Sequence, residues 1–242
     1  MYKLSMFNIK SIFKRVRILL EWPYNIWFII ISYYPGPIGF RLRYRHWKKR
    51  LRHLGKDVLI DTGVYFQNPN YISIGDYSWI DKNVMILAGL DKSEREKYYI
   101  ANKEFQGEPG LVFIGKNIHI GPNCIISGIS SGVHISDKCG LAANCKIFAF
   151  THHFRSKKSP KDKEFHFGPL VPDHIQCIIE GPVHLGMNTG VALNSIILPG
   201  VFIPNDCFVA VNSVVEAGPY RENSIISGSP AKSIAERFKS DE

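Results

Sequence analysis

Nine histidines are spread along the chain, and two of them stand side by side in Phe150-Thr151-His152-His153-Phe154-Arg155. An unperturbed imidazole titrates near pH 6.5, so it can take a proton from an attacking group and return it to a leaving group. The pair opens a stretch in which an otherwise regular repeat breaks off. By contrast His119, His134, His152 and His184 each immediately precede an aliphatic residue of that repeat, or the place where one would fall, and are expected to face outward as decoration. The five cysteines, Cys124, Cys139, Cys145, Cys177 and Cys207, include no Cys-x-x-Cys pair and cannot all pair with one another. They read as reduced thiols in a cytoplasmic setting.

The element that must position these groups announces itself by a period of six. Ile179, Leu185, Val191, Ile197, Ile203, Val209 and Val215 recur without a break, and shorter runs obey the same rule: Ile74, Ile80, Ile86; Ile114, Ile120, Ile126; Ile135, Leu141, Ile147. Four residues after the aliphatic comes a small or β-branched one, as in Val183, Thr189, Ser195, Val201, Cys207 and Ser213. Helices repeat at three and four and simple strands at two, so neither sustains a six. A parallel β-helix does, with one short strand per hexad, three hexads per coil and a tight corner that admits only a small side chain. Cys124, Cys139, Cys145 and Cys207 occupy that corner position, which makes them packing residues.

Two segments of 27 residues interrupt the repeat, Leu87 to Phe113 and His152 to Ile178. Connections of that length inside a compact domain are usually functional, and a rigid coil gives them fixed anchors. The expected organisation is therefore a basic arm over 1–56, a coil over 57–226 with loops at 87–113 and 152–178, and a C-terminal segment over 227–242 with a short helix.

Charge divides at the same place. Residues 1–56 hold thirteen Lys or Arg against Glu21 alone, a net of +12, whereas residues 57–242 carry a net of −3. Within the arm, Ile9, Ile12, Phe13, Val16, Leu19 and Leu20 form one helical stripe. Phe40, Tyr44, Trp47, Leu51 and Leu54 form a second, threaded through Arg41, Arg43, Arg45, Lys48, Lys49, Arg50 and Arg52 and stopping at Gly55. Amphipathic basic helices suit an anionic membrane surface, and the alternative is that they cap the coil. The apolar run Ile26 to Tyr34 is nine residues, against about twenty for a bilayer span, and no small-residue cleavage site follows it. The leader is expected to be retained, with the protein peripheral on the inner face of the membrane. No nucleic-acid recognition motif accompanies the positive charge.

Hexads such as Ile74-Gly75-Asp76-Tyr77-Ser78-Trp79 and Ile120-Gly121-Pro122-Asn123-Cys124-Ile125 resemble those of the hexapeptide-repeat acyltransferases. The Thr-x-His stretch is similar to the one where galactoside and maltose acetyltransferases, and polysaccharide O-acetyltransferases, carry their catalytic histidine. Residues 182–201, ending Ile197-Leu198-Pro199-Gly200-Val201, and the close Ser227-Gly228-Ser229-Pro230-Ala231-Lys232 resemble further family stretches. The resemblance implies a left-handed coil, a homotrimer, acetyl-CoA as donor and no metal. It puts the general base at His153, with His152 as the neighbouring alternative. It places the pantetheine arm near Ala192, Asn194 and Ala210, with Lys232 toward the nucleotide phosphates. Asp81 stands where galactoside-type relatives have an acceptor-binding Asn, and it serves equally well as a solvated corner residue. The chain departs from the family at Gly190, where Trp is common, and at Glu216-Ala217, where Thr-Lys is common.

The function implied is transfer of an acetyl group to a sugar hydroxyl in cell-surface polysaccharide or lipid-linked glycan assembly. N-acetylation of a nucleotide-linked amino sugar is the alternative. A zinc carbonic anhydrase on the same coil would need three converging histidines. His134 and His152, eighteen residues apart, could stack on successive coils, but no third histidine is placed with them.

Overall fold

A computed structural model of the protein describes residues 25–168 and 170–239. The chain winds through three parallel sheets in rotation. One face stacks His53–Leu54, Ile72–Ile74, Val112–Ile114, Val133–Ile135, Val183–Leu185 and Phe202–Ile203. The second stacks Leu59–Ile60, Trp79–Ile80, His119–Ile120, Gly140–Leu141, Gly190–Val191, Phe208–Val209 and Ser224–Gly228. The third stacks Tyr65–Gln67, Met85–Leu87, Ile125–Ser127, Lys146–Phe148, Ile196–Ile197 and Val214–Val215. The coil thus begins at His53, a few residues inside the arm drawn from the sequence.

Of the sixteen phased aliphatic residues, fifteen point inward and are at most 2% exposed. Ile179 is the exception: it keeps the phase but leaves the coil, and is only half-buried in a side sheet described below. The corners explain the rest of the hexad. The residue before the small one adopts a left-handed conformation, with φ from 55° to 64° at Asn83, Asn117, Asn123, Asn144, Asn188, Asn194 and Asn212. Asn tolerates that region best among residues with a Cβ. The small residue then hydrogen-bonds a corner carbonyl of the next coil: Ser78 Oγ to Gly115 O at 3.2 Å, Cys124 Sγ to Ala142 O at 3.0 Å, Cys145 Sγ to Ala192 O at 3.2 Å, Ser195 Oγ to Ala210 O at 2.8 Å. The thiols are therefore reduced and structural, and burial pushes Cys139 up to about 11. Cys177 alone lies off the coil.

Helices close the first coil. Residues 25–33 are helical (α1), and Gly36–Lys48 forms α2 behind Pro35, with Pro37 in its first turn and Arg45, His46 and Lys48 in its last. The two helices meet at Gly39, where a Cβ would stand 1.8 Å from Tyr34 O. Trp47 is inserted into the open end of the coil, edge-on to Phe66 at 4.7 Å, with Leu51 and Leu54 in the core below. Tyr44 packs beside them and donates to Gly55 O at 2.9 Å. Arg43, expected in a solvated basic face, is buried instead. Its Nε donates to Ile60 O at 2.6 Å, and its Nη1 to Ile31 O and Tyr34 O at 3.1 and 2.8 Å, so one guanidinium ties both helices to the coil. The second stripe is thus a cap. The first stripe, 9–20, lies outside the described residues.

At the other end the chain passes from the third face directly to the second as Ser224–Gly228, and Ala231–Glu236 folds back antiparallel upon it. This strand stands where a short helix was expected. The lone β-branched Ile234 and the turn at Gly228–Pro230 favour a hairpin, and the edge of the second face gives that hairpin a partner.

Removing the plug should expose this dependence. Trp47→Ala is expected to cost about 3–5 kcal/mol, as for other large-to-small core changes, and to lower the urea midpoint measured at fixed protein concentration.

Candidate active site

Every coil passes from the third face to the first at one corner, and both interruptions are insertions there: residues 88–111 follow Met85–Leu87, and residues 149–182 follow Lys146–Phe148. They do not stay separate. Phe150–His153 pairs antiparallel with Cys177–Glu180, which pairs parallel with Glu96–Tyr99, to make a three-stranded side sheet. The second loop therefore runs on to residue 182, beyond the limit the repeat suggested, because Cys177–Glu180 is strand in the wrong sheet.

The register aligns His153, Cys177 and Glu96 in one row across this sheet. His153 is buried to 7% exposure, and its ring stacks on Phe154 at 4.3 Å. Nδ1 lies 2.6 Å from Arg155 O, a contact that requires the proton on Nδ1. Arg155 N also lies 3.3 Å from Nδ1, but a protonated nitrogen cannot accept, so the shorter contact defines the tautomer. Nε2 has no hydrogen-bond partner among the described residues, so in the neutral ring it carries the free lone pair. His152 is placed differently. Its Nε2 is 3.2 Å from Arg95 Nη1, and as a guanidinium only donates, that nitrogen's lone pair is occupied.

Arg95 is held in turn by Asp91 at 2.9 Å and Ser93 at 2.7 Å. Burial opposes ionisation of Asp91, but hydrogen bonds from Ser93 and Arg95 outweigh it and bring its pKa down to about 2. Glu96 accepts from Ser156 Oγ at 2.6 Å and from the amides of Lys157 and Lys158 at 2.8 and 2.9 Å. Burial would raise its pKa, and these donors lower it. None of Asp91, Arg95 and Glu96 stood out in the sequence, where they form part of a charged run; only the length of the interruption signalled that the run has work at a site.

The other expected site residues lie elsewhere. Asp81, Ala192 and Ala210 share the corner between the second and third faces, each directly after a second-face strand. The Asp81 carboxylate accepts from Lys82 N at 2.7 Å and stands 3.5 Å from His119 Nε2, whose ring lies 4.9 Å from that of Trp79. The amides of Ala192 and Ala210 are already used, donating to Val209 O and Ile226 O, so each has only its carbonyl to offer a ligand, and Ala192 O already accepts from Cys145 Sγ and Ser195 N and Ala210 O from Ser195 Oγ. Asn194 is the left-handed residue of that corner, with an exposed side chain. Lys232 lines a cleft of about 530 Å³ with Glu216, Tyr220, Arg221 and Ser233. Gly190 lies under the Phe208 ring, which a Cβ there would approach to 2.8 Å; an aromatic side chain does cover this rung, from the next coil. Within one chain, then, His153 and the Asp81–Ala192–Ala210 corner sit at opposite ends of the third face.

The outward histidines are more than decoration. Phe113, His134, His184 and Phe202 stack ring on ring up the first face at 4.5, 5.0 and 4.8 Å, and Phe105 from the first interruption covers both imidazoles. His134 pairs in this ladder with His184, and His152 belongs to the side sheet, so His134 and His152 do not stack. Among the described residues no three His, Cys, Asp or Glu side chains group as metal ligands.

No protein-family model matches the chain. It is 30% identical over 125 residues to WbbJ of Escherichia coli K12, whose name assigns it provisionally as a lipopolysaccharide biosynthesis O-acetyl transferase; the match covers 52% of this chain and 60% of that protein's length. It is 26% identical over 188 residues to the dTDP-4-amino-4,6-dideoxy-D-glucose acyltransferase of Escherichia coli, covering 78% and 83%. The fold is shared with the Bacillus cereus N-acyltransferase AntD, solved with dTDP and 3-hydroxybutyryl-CoA: TM-score 0.63, 22% identity, 81% of this chain and 88% of that one.

The ring ladder carries a pH dependence. Burial, then the charge of His134, lowers His184 from 6.5 to about 4, so the unfolded chain binds the proton more tightly. The ladder's stability is complete above pH 6.5 and is lost as pH falls toward 4. At about 1.4 kcal/mol per pH unit the interval from 6.5 to about 4 would correspond to roughly 3.5 kcal/mol, and solvent screening of the partly exposed ring brings the loss attributable to His184 to the order of 2 kcal/mol. Urea midpoints of the wild-type protein should fall between pH 6.5 and 4.5, and His184→Phe, which keeps the stack, should flatten that slope.

Proposed function

We propose that this chain, which by its repeat and its curated relatives belongs with the hexapeptide-repeat acyltransferases, moves an acetyl group from acetyl-CoA to a sugar hydroxyl in the assembly of a cell-surface polysaccharide or lipid-linked glycan. The observation that carries the reading is the placing of His153: Nδ1–H is spent on Arg155 O, which in the neutral ring leaves the Nε2 lone pair open. Nε2 takes the hydroxyl proton as the oxygen attacks the thioester carbonyl. The tetrahedral intermediate then collapses, the C–S bond breaks, and the proton passes from Nε2 to the departing thiolate. Neither a covalent acyl-enzyme nor a metal is needed for this balance. His152 is the weaker candidate, because Arg95 holds the lone pair it would use.

For the donor, the exposed edge at Ala192, Asn194 and Ala210 offers carbonyls unobstructed by large side chains, and Lys232 offers a cation to phosphate. These groups, with Asp81 for the acceptor, lie a full face away from His153. A left-handed homotrimer, in which one subunit's His153 corner meets a neighbour's Asp81–Ala192–Ala210 corner, would bring them together.

The second reading, N-acylation of a nucleotide-linked amino sugar, draws support from the relative that covers most of both chains, a dTDP-amino-sugar acyltransferase. The same base would serve, removing a proton from the attacking amine. Purified protein supplied with acetyl-CoA should release thiol with hydroxyl acceptors and not with amino acceptors; the reverse pattern selects the second reading. His153→Ala should lower turnover by about 100-fold or more while leaving the coil folded. Near-normal turnover in that variant would remove the proposed role.

We place the protein on the cytoplasmic face of the membrane, as a peripheral partner of anionic lipid. No helix among the described residues is long and apolar enough to cross a bilayer. The outer side of α1 nevertheless presents Trp27, Ile29, Ile30 and Tyr33 at 45–64% exposure, with Ile38 and the exposed cations Arg41, Arg45 and Lys49 on and just after α2. Such a surface suits headgroups above and acyl chains below. The protein should float with anionic vesicles, and Trp27→Ser with Ile30→Ser should weaken flotation without changing turnover on a soluble acceptor. Equal flotation of wild type and variant would sink this placement.

A further inference from the structure

Glu96 belongs to the first interruption, 57 residues before His153 in sequence, yet the side sheet sets the two in one row with Cys177 between them. Its carboxylate accepts three hydrogen bonds from the turn that follows the histidine, Ser156 Oγ at 2.6 Å, Lys157 N at 2.8 Å and Lys158 N at 2.9 Å, and the Cys177 thiol between the two strands bonds to it as well. Ser156 is 1% exposed, and its oxygen also accepts Ser159 N at 2.7 Å, which closes the turn upon the Glu96 carboxylate. The residue held between this turn and the strand is Arg155, whose carbonyl defines the His153 tautomer.

We propose that Glu96 is the positioning residue of the proton-transfer site: by clamping residues 156–158 it holds the Arg155 carbonyl on Nδ1–H of His153 and so keeps the Nε2 lone pair aimed outward. This rests on His153 being the base. Charge-assisted bonds to backbone amides are roughly twice as strong as neutral ones, so a carboxylate is suited to the task and an amide is not. Without the clamp the carbonyl drifts, and the imidazole is free to carry its proton on either nitrogen. The first interruption then serves the site although none of its residues need touch a substrate. It also explains why two insertions, in coils far apart in sequence, share one sheet.

The test compares wild type, Glu96→Gln, Glu96→Asp and Ser156→Ala by nitrogen NMR of histidine-labelled protein and by steady-state kinetics. Wild-type His153 should show the Nδ1–H tautomer alone. Glu96→Gln should show a mixture, with kcat reduced about 10- to 100-fold, KM for acetyl-CoA within about twofold of wild type, and the pKa of the base limb of the pH–rate profile displaced. Glu96→Asp should recover part of both signals. An unchanged tautomer with turnover within about twofold in Glu96→Gln overturns the proposal. Should that variant fail to fold, Ser156→Ala, lacking one of the three bonds, must still show the mixed tautomer, and an unmixed one overturns it. The tautomer is read without substrate, so a protein that transfers no acyl group to any acceptor but still loses the Nδ1–H form in Glu96→Gln would refute the acyltransferase reading and leave the clamp standing.

Discussion

Six residues per side leave the chain no slack at the corners of this coil. A flat strand of two or three residues must stop, reverse through one left-handed residue and restart on the next face, and any side chain turned inward there would strike the coil above. The hydrogen bond from a small side chain to the neighbouring corner carbonyl answers that constraint. Ser78, Cys124, Cys145 and Ser195 fill the available space and satisfy a carbonyl that the turn has freed from the ladder. With each corner so fixed, successive coils superpose, and the inward aliphatic residues form columns sealed from water.

A superposed corner is also a place where extra chain can leave and return without disturbing the stack. Both insertions use the corner between the third and first faces, so they emerge one above the other and pair as a sheet of their own. That pairing puts a histidine with a defined tautomer on a rigid strand, and hangs Phe105 over two imidazoles of the first face. The opposite corner carries no insertion, and its carbonyls at Ala142, Ala192 and Ala210 bond to the small side chains of the neighbouring coil.

The period of six is a local signal, repeated often enough that the coil, its inward residues and its two interruptions are legible from residue types alone. Asn often precedes the small residue and suits the left-handed turn there, a place that Tyr77, Lys138 and Asp206 take before Ser78, Cys139 and Cys207. What the period could not convey is where chain outside it goes. Ile179 keeps the phase yet belongs to the side sheet, because hydrophobic spacing does not say which sheet a strand will join. Arg43 lies in a basic run and reads as solvated; its burial depends on three carbonyls brought from two segments, the end of α1 and the first coil. Glu96 was hidden for the same reason, since its partners Ser156, Lys157 and Lys158 lie some sixty residues further along the chain. The hairpin at the C-terminus was missed because its partner edge exists only once the second face has been built.

The side sheet also sets an order of assembly. Coil rungs can close one after another as the chain emerges, since each needs only its predecessor. The strand Glu96–Tyr99 cannot, because its partner Cys177–Glu180 is made about eighty residues later. At about 5–20 residues per second, ribosomal synthesis leaves that strand alone for several seconds or more. During that interval the edge Glu96–Tyr99 waits beside the rungs already made, and the histidine strand joins it only when Cys177–Glu180 arrives between them.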